Sequence, residues 1–135
     1  MIRRILAAAA VTLGMLALPA VAVPAAQAST SVVVYTNGMG GNWQDPAVKP
    51  GEIGFGAHWA MAGCHWTHWT GGSAYASGTY WTSPGHGYRA NIALTTVLHH
   101  GSQRYFQHAT ITARGHRTAH LWYGSDHGLV GWWSA

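Results

Sequence analysis

Histidine is the residue type in this sequence with the widest chemical use, and ten histidines occur among 135 residues. Neutral imidazoles bind Zn or Cu when several ring nitrogens converge on one point. The densest cluster is HWAMAGCHWTHW at residues 58–69, which holds three histidines, three tryptophans and a cysteine. On a strand, His65 and His68 would face opposite sides, because they are three positions apart and side chains alternate from one position to the next. The segment therefore predicts the wall of an aromatic core.

A second arrangement of histidines follows from a predicted hairpin at residues 104–123. A three-residue turn at residues 114–116 brings the aliphatic side chains of both strands onto one face. In that register Thr110 faces His120, and His108 becomes a diagonal neighbour of His120 on the same face. Diagonal neighbours lie about 7–8 Å apart, so the two imidazoles are within reach of one Zn or Cu ion.

A third metal ligand would have to come from His99, His100 or His127. The alternative is that all these histidines lie on a solvated polar face. The sequence has no HExxH motif, no Cys-His spacing and no acidic calcium loop. We therefore expect no required cofactor, and Zn or Cu at His108 and His120 is the alternative.

Aromatic side chains are the second group able to form a site. Eight tryptophans and six tyrosines exceed what so small a core can bury, and exposed aromatic clusters commonly mark recognition surfaces. Adjacent strand residues face opposite ways, so one of Trp132 and Trp133 faces outward, and the same parity separates Trp66 from Trp69. We expect Trp69, Trp132 and Trp133 to contact a ligand. The alternative is that the rings only span and cover the sheets.

Groups suited to catalysis are scarce. Asp45, Glu52 and Asp126 are the only carboxylate side chains, and all three fall in predicted loops or strand ends, whereas glycoside hydrolysis needs a close pair. No GxSxG nucleophile elbow occurs. Cys64 is the single cysteine, which excludes an intramolecular disulfide and favours a buried thiol that packs as a small hydrophobe. We expect no catalytic residue.

The elements that must position these residues are predicted to be short strands. Apolar residues alternate from Ile53 to Met61, with Trp59 on the buried face, and Gly63 ends that strand. On a later strand Ile92, Leu94 and Leu98 are predicted to share one face. The predicted strands cover residues 31–35, 53–61, 64–70, 74–81, 90–98, 104–113, 117–123 and 129–133. Seven or eight short strands with Gly and Pro between them predict an all-β, small antiparallel β-sandwich or barrel.

The start of the chain has the features of a secretory signal peptide. Two arginines precede an apolar run at residues 5–23, and the triplet AQA ends at Ala28. A membrane anchor is the alternative, because the run is nearly long enough to span a bilayer. We predict a cleaved signal at residues 1–28, an N-terminal strand with a Gly/Pro-rich loop at residues 29–52, and the β-domain core at residues 53–135.

Charge bears on possible partners. Without the two arginines of the predicted signal the net charge falls from +4 to +2, and the remaining cations are scattered, which argues against nucleic-acid binding. All ten histidines remain after cleavage, and their protonation in mild acid would carry the charge towards +12. We expect a partner that is bound through charge to bind differently at pH 5 and pH 8.

A motif in the middle of the chain resembles that of a known group of proteins. It consists of Ile53-x-Phe55, Trp66-x-x-Trp69 and Ala74-x-Ala76-x-Gly78. The pattern is similar to that of small secreted proteins of high-GC Gram-positive bacteria, and it covers residues 53–78. The resemblance implies secretion and a β-rich fold, and it carries over no catalytic residue. Many members have a cysteine pair after the glycine, where this chain has SPGHG.

These features together predict a secreted, monomeric domain with no membrane span after cleavage. We expect it to bind an extracellular partner, either a cell-wall carbohydrate or a protein, without catalysis. A secreted, histidine-based metal-binding protein is the alternative, and a small hydrolase is the less favoured one.

Overall fold

This computed structural model describes residues 31–37, 39–40 and 43–135. The regular secondary structure of these residues consists of β-strands. The predicted signal peptide at residues 1–28 lies outside the described residues. None of the described residues belongs to a helix that could cross a membrane. The ten strands in chain order are β1 (Val34–Tyr35), β2 (Met39–Gly40), β3 (Pro46–Ala47), β4 (Glu52–Gly54), β5 (Ala60–Trp69), β6 (Ala74–Ser83), β7 (His86–His100), β8 (Gln103–Thr112), β9 (Ala119–Asp126) and β10 (Leu129–Ser134).

Eight of these strands form one antiparallel sheet in the order β2-β10-β9-β8-β7-β6-β5-β4, while β1 pairs with β3. The all-β antiparallel fold is therefore confirmed, and the larger sheet is curled into a half-barrel. The curl brings the two ends of this sheet close to each other. The ring centroid of Phe55, just after β4, lies 5.4 Å from that of Trp132 on β10. We call the gap between the β4–β5 turn and β10 the seam.

The segment that leads into β1 lies in the centre of the core, since all four residues from Val32 to Tyr35 are buried. Strand β8 pairs with β9 only from His108 to Ile111. Val33 occupies the gap that opens beyond this pairing, and it bridges to Tyr105 in parallel. Its backbone N–H donates to Arg104 O at 3.0 Å. The N-terminal segment thus completes the inner layer of the half-barrel.

The prediction of one strand from Ile53 to Met61 is wrong. The chain turns back after β4, so that Ile53 lies opposite Met61 in a hairpin, and Phe55 N donates to Trp59 O at 2.7 Å across the turn. Residues opposite each other in a hairpin share a face, as they would on one continuous strand, so the apolar alternation could not separate the two cases. Trp59, which was predicted to be buried, is 44% exposed at this turn.

The predicted break at Gly63 is also wrong, because β5 continues through it. Gly63 has a φ of 60°, and the register shifts between Ala62 and His65, as expected for a bulge. A second shift follows Trp66. The extra residue places Trp66 and Trp69 on the same side, with ring centroids 4.7 Å apart, and both rings pack against the core. The predicted separation of these two tryptophans is therefore wrong.

The second bulge also reverses the prediction for the histidines of β5. His65 lies opposite Ser77, and His68 lies opposite Tyr75. Ser77 and Tyr75 alternate with buried Ala76 on β6, so both histidines face away from the core on the same side of the sheet. The prediction that they face opposite sides is wrong, since a bulge changes the parity of every residue beyond it.

A local backbone feature also moves Leu98 away from its predicted position. Ile92 and Leu94 are buried, as the alternation predicted, but Leu98 is 37% exposed. Between them Thr96 has a left-handed φ of 58°. This conformation shifts the side-chain parity by one residue, so Val97 packs against the core in place of Leu98.

The hairpin formed by β8 and β9 has the predicted register. Ile111 lies opposite Ala119, Thr110 lies opposite His120, and His108 lies opposite Trp122. In this register the aliphatic side chains of both strands face the core. A register shifted by one residue would expose them.

Candidate ligand-binding site

The seam contains two neighbouring cavities that share Trp59 and Ser134. The larger has a volume of about 730 Å³, and the smaller one of about 390 Å³. Trp59 stands between them on the β4–β5 turn. The larger cavity is lined by Trp59, Tyr80, Thr82, Tyr88, Arg117, Thr118, Ala119, His120, Leu121, Ser134 and Ala135. The smaller is lined by Phe55, Gly56, Ala57, His58, Trp59, Trp132, Trp133 and Ser134. We call the two together the seam cleft.

The β6–β7 hairpin supplies two phenols to the larger cavity. Tyr80 and Tyr88 lie opposite each other in the ladder, with ring centroids 5.8 Å apart in an edge-to-face arrangement. Burial, and secondarily the neighbouring Tyr88, raises the pKa of Tyr80. The Tyr80 hydroxyl therefore stays protonated and can donate a hydrogen bond throughout the neutral range.

The β8–β9 turn places polar groups beside these rings. His116 stacks on Tyr88 with a centroid distance of 3.7 Å and an interplanar angle of 8°. Arg117 follows directly and lines the larger cavity. Within the part of the chain that the structure describes, the one ion pair joins His127 to Asp126, so the Arg117 guanidinium remains available to an incoming polar group.

Two of the predicted ligand-binding residues, Trp132 and Trp133, border the smaller cavity. Trp132 is only 3% exposed, and its Nε1 donates to Tyr35 O at 2.9 Å. Trp133 is half-buried on the other side of β10, and its Nε1 donates to Gly124 O at 3.1 Å. As predicted, the adjacent indoles face opposite ways, and both N–H donors already have a backbone partner.

Trp69, the third predicted ligand-binding residue, lies away from the seam. Its Nε1 donates to Val32 O at 3.2 Å, and its ring meets Phe106 edge to face at 5.4 Å. These contacts are those of a residue that covers the core. A role for Trp69 in ligand binding stays a prediction.

The two histidines predicted to bind a metal lie on the same face of the sheet, as their register required. His108 Nδ1 is 3.1 Å from Thr96 Oγ1, and His120 Nδ1 is 3.5 Å from Thr110 Oγ1. Among the described residues, no three His, Cys, Asp or Glu side chains are grouped so as to hold a metal ion. Binding of Zn or Cu by this pair stays a prediction.

The three candidate third ligands have other neighbours. The His100 ring stacks on Trp43 with a centroid distance of 3.9 Å, and His127 Nδ1 lies 2.9 Å from Asp126 Oδ1. His99 is exposed near the end of β7. Each belongs to the β7–β8 or β9–β10 end of the sheet, whereas His120 lies near the start of β9.

The remaining reactive groups are dispersed. Asp45 lies near Asn37, Glu52 begins the edge strand β4, and Asp126 ends β9. Burial, with a smaller contribution from Glu52, raises the pKa of the Cys64 thiol to about 11. At neutral pH the thiol is therefore protonated and poorly nucleophilic. It donates to Met61 O at 3.5 Å.

Comparison of the chain with protein families, with curated proteins and with solved structures found no match. The resemblance at residues 53–78 to small secreted proteins therefore stays a prediction.

Sequence reasoning missed four residues of the seam cleft, namely Trp59, Tyr80, Tyr88 and Arg117. Tyr80 and Tyr88 flank the predicted loop at residues 83–87 at unequal distances, and a register shift between Trp81 and Ser83 brings them opposite each other, so loop symmetry alone did not indicate the pair. No signal existed for Trp59 either, since its position depends on where the sheet curls back on itself.

Proposed function

We propose that this chain is a non-catalytic binding module of the cell exterior that takes a carbohydrate ligand in the seam cleft. The observation that carries the proposal is the half-exposed Trp59, which separates two cavities. A pyranose ring has a flat face of C–H groups that stacks on an indole, while its hydroxyls need hydrogen-bond partners at the ring edge. One sugar on each side of Trp59 would satisfy both requirements.

The polar lining supports a sugar over a purely apolar ligand. The Tyr80 hydroxyl donates, the Arg117 guanidinium offers up to five N–H donors, and the hydroxyls of Thr82, Thr118 and Ser134 both donate and accept. Cavity volumes of 300–1,000 Å³ are usual for small-molecule sites, and both cavities fall within that range.

The composition of the cleft also supports binding without hydrolysis. Among the described residues that line the two cavities, no side chain is an Asp or a Glu. Cleavage of a glycosidic bond ordinarily uses two carboxyl groups about 5–10 Å apart. Glu52 lines a neighbouring cavity that also includes Trp59, but a single carboxylate does not supply the pair that this hydrolysis uses.

Retention on insoluble polysaccharides tests this function. We expect the protein to be retained on at least one of peptidoglycan, chitin and cellulose. Trp59→Ala should lower the affinity about tenfold, which corresponds to the loss of about 1.4 kcal/mol of binding free energy.

Leu129→Ala is the control. Leu129 is 45% exposed, against 44% for Trp59, and it begins β10 without lining either cavity of the seam cleft. Its substitution should leave retention unchanged. Undiminished retention of the Trp59→Ala protein would exclude the seam cleft as the site, and absence of retention on all three polymers would argue against a cell-wall carbohydrate ligand.

A further inference from the structure

The side of the sheet that faces away from the core has an unusual composition. On strands β5 to β9 its central positions carry hydroxyl and amide side chains, and bases surround them. The neutral polar members are Thr67, Ser77, Asn91, Thr110 and Thr112, which line a shallow depression with Tyr75. The basic members are His65, His68, His108, His120, Arg89 and Arg114. We call this surface the outer face.

Strand register shows how these side chains are arranged. His68, Tyr75, Ala93, Thr110 and His120 follow one another across five neighbouring strands. The adjacent row runs from His65 through Ser77 and Asn91 to Thr112. Neighbouring strands lie about 4.8 Å apart, so each row extends over roughly 15–20 Å. Such a surface is long enough to contact several units of a linear polymer.

In the described part of the chain, none of the four histidines of the outer face contacts a carboxylate, although His120 lines the seam cleft together with Arg117. His68 Nε2 lies 3.1 Å from Ser73 Oγ, and the His68 ring lies 5.2 Å from Tyr75. His108 and His120 contact threonine hydroxyls, and His65 lies opposite Ser77. Within the described residues none of the four forms an ion pair.

The nearest charged groups are at the margins of this surface. Arg89 and Arg114 border one depression together with Ser77, Asn91 and Thr112. Glu52 lies on the edge strand β4, opposite Ala62, and Asp126 at the far end of β9 is paired with His127. The third carboxylate, Asp45, lies near Asn37 beside β1 and β3. His65 and His68 lie away from the seam cleft and from the pair predicted to bind a metal, so their protonation would add positive charge with little local compensation.

We propose that the part of the outer face around His65, His68, Arg89 and Arg114 is a second binding surface, apart from the seam cleft, that takes an anionic polysaccharide and engages it in mild acid. The two arginines supply a fixed positive charge, and His65 and His68 add to it when protons bind. Imidazole is the side chain whose charge ordinarily changes between pH 5 and pH 8. The threonine, serine and asparagine side chains offer hydrogen bonds to sugar hydroxyls between the charged groups.

A membrane surface fits this face less well than a polysaccharide. Helices and patches that enter the lipid interface present Trp, Phe or Leu side chains to the acyl boundary. At the centre of the outer face the exposed large side chain is Tyr75, and the depression beside it is lined by threonine, serine and asparagine side chains together with alanine and isoleucine. Trp81, the exposed tryptophan on this side of the sheet, lies near the end of β6. Electrostatic attraction to lipid headgroups would therefore act without apolar insertion.

Binding to soluble polymers at two pH values tests the proposal. The probes are dextran sulfate and polygalacturonate, which carry sulfate and carboxylate groups respectively, with unmodified dextran as the uncharged reference. We expect binding to the charged polymers to be about three- to tenfold tighter at pH 5.5 than at pH 7.5, because each of two exposed charge pairs contributes a few-fold. The gain should diminish as salt is added. Preference for one of the two polymers identifies the anionic group.

The decisive variant is His65→Gln/His68→Gln. Its matched control is His86→Gln/His99→Gln, which removes the same number of exposed histidines from the two ends of β7. Both variants keep His58 and His120, which line the seam cleft. The proposal requires the outer-face variant to lose the tightening at pH 5.5 and the control to keep it. Thermal unfolding of both proteins establishes that each is folded at the two pH values.

Three results would overturn the proposal. Equal loss in the two variants would mean that net charge alone governs binding, and equal affinity for dextran and its charged derivatives would remove charge from recognition altogether. Stronger binding to vesicles of anionic phospholipid than to either polymer at pH 5.5 would assign the surface to membranes.

Discussion

Single side chains join the N-terminal segment to the inner face of the sheet. The indole N–H of Trp69 donates to Val32 O, and that of Trp132 donates to Tyr35 O. Val32 and Tyr35 are both buried, so water does not reach their carbonyl oxygens to donate a hydrogen bond. The two tryptophans therefore satisfy backbone acceptors within the core.

Replacement of Trp132 by Phe tests this role. Trp132→Phe keeps an aromatic ring but leaves Tyr35 O without its 2.9 Å donor, and an unsatisfied buried acceptor costs about 1–3 kcal/mol. We expect the free energy of unfolding, measured by urea denaturation, to fall by that amount. Trp81→Phe is the control, because Trp81 is exposed, and its effect should stay within about 0.5 kcal/mol. Equal effects would show that the indole N–H contributes nothing.

At the scale of the strands, irregularities decide which side chains meet. The bulges in β5 place Trp66 beside Trp69 and His65 on the face of His68. On β7 the left-handed φ of Thr96 turns Val97 inward. A β-branched residue in this conformation is strained by about 1–2 kcal/mol, because its Cβ approaches the following carbonyl oxygen.

Glycine at position 96 should relieve that strain. Thr96→Gly is expected to raise the free energy of unfolding by about 0.5–1 kcal/mol, since the strain removed exceeds the added backbone entropy of glycine. Urea denaturation measures the change. Thr95→Gly, one residue earlier and without a positive φ, should instead lower stability by about 0.5–1 kcal/mol. Destabilisation by both substitutions would contradict a strained Thr96.

The success of sequence reasoning also varied from strand to strand. The register of β8 and β9 could be predicted because turn length and aliphatic pairing favoured the same alignment. The bulge at Gly63 had a visible signal, a glycine within a strand, but its effect on residues beyond it did not follow from alternation. Thr96 had no signal, since its residue type favours extended backbone. The seam cleft escaped prediction because it depends on the curvature of the whole sheet.

Across the whole molecule, burial keeps weakly acidic groups protonated. Burial raises the pKa of the Cys64 thiol to about 11 and that of the Tyr123 phenol to about 12, from ordinary values of 9.0 and 10.0. The folded protein therefore retains protons that the unfolded chain releases as the pH rises. Their contribution to stability is complete below about pH 9 and is lost progressively up to about pH 12.

Alkaline unfolding tests this dependence. We expect the titration of these two groups to leave the urea midpoint of unfolding unchanged between pH 7 and pH 8.5 and to lower it between pH 9 and pH 11. Cys64→Ala should show a smaller fall relative to its own value at pH 7, because the thiol no longer contributes. A midpoint that is constant up to pH 11 would contradict the raised pKa values.

The contact between Tyr35 O and Trp132 joins residues 97 positions apart, and Val33 pairs with Tyr105. Folds closed by such distant contacts form slowly, because the entropy of loop closure is lost before the contacts stabilise the chain. As the chain is synthesised, the buried valines of the N-terminal segment lack their partners until β8 and β10 have emerged. We therefore expect the folded state to form only after β10 has been synthesised.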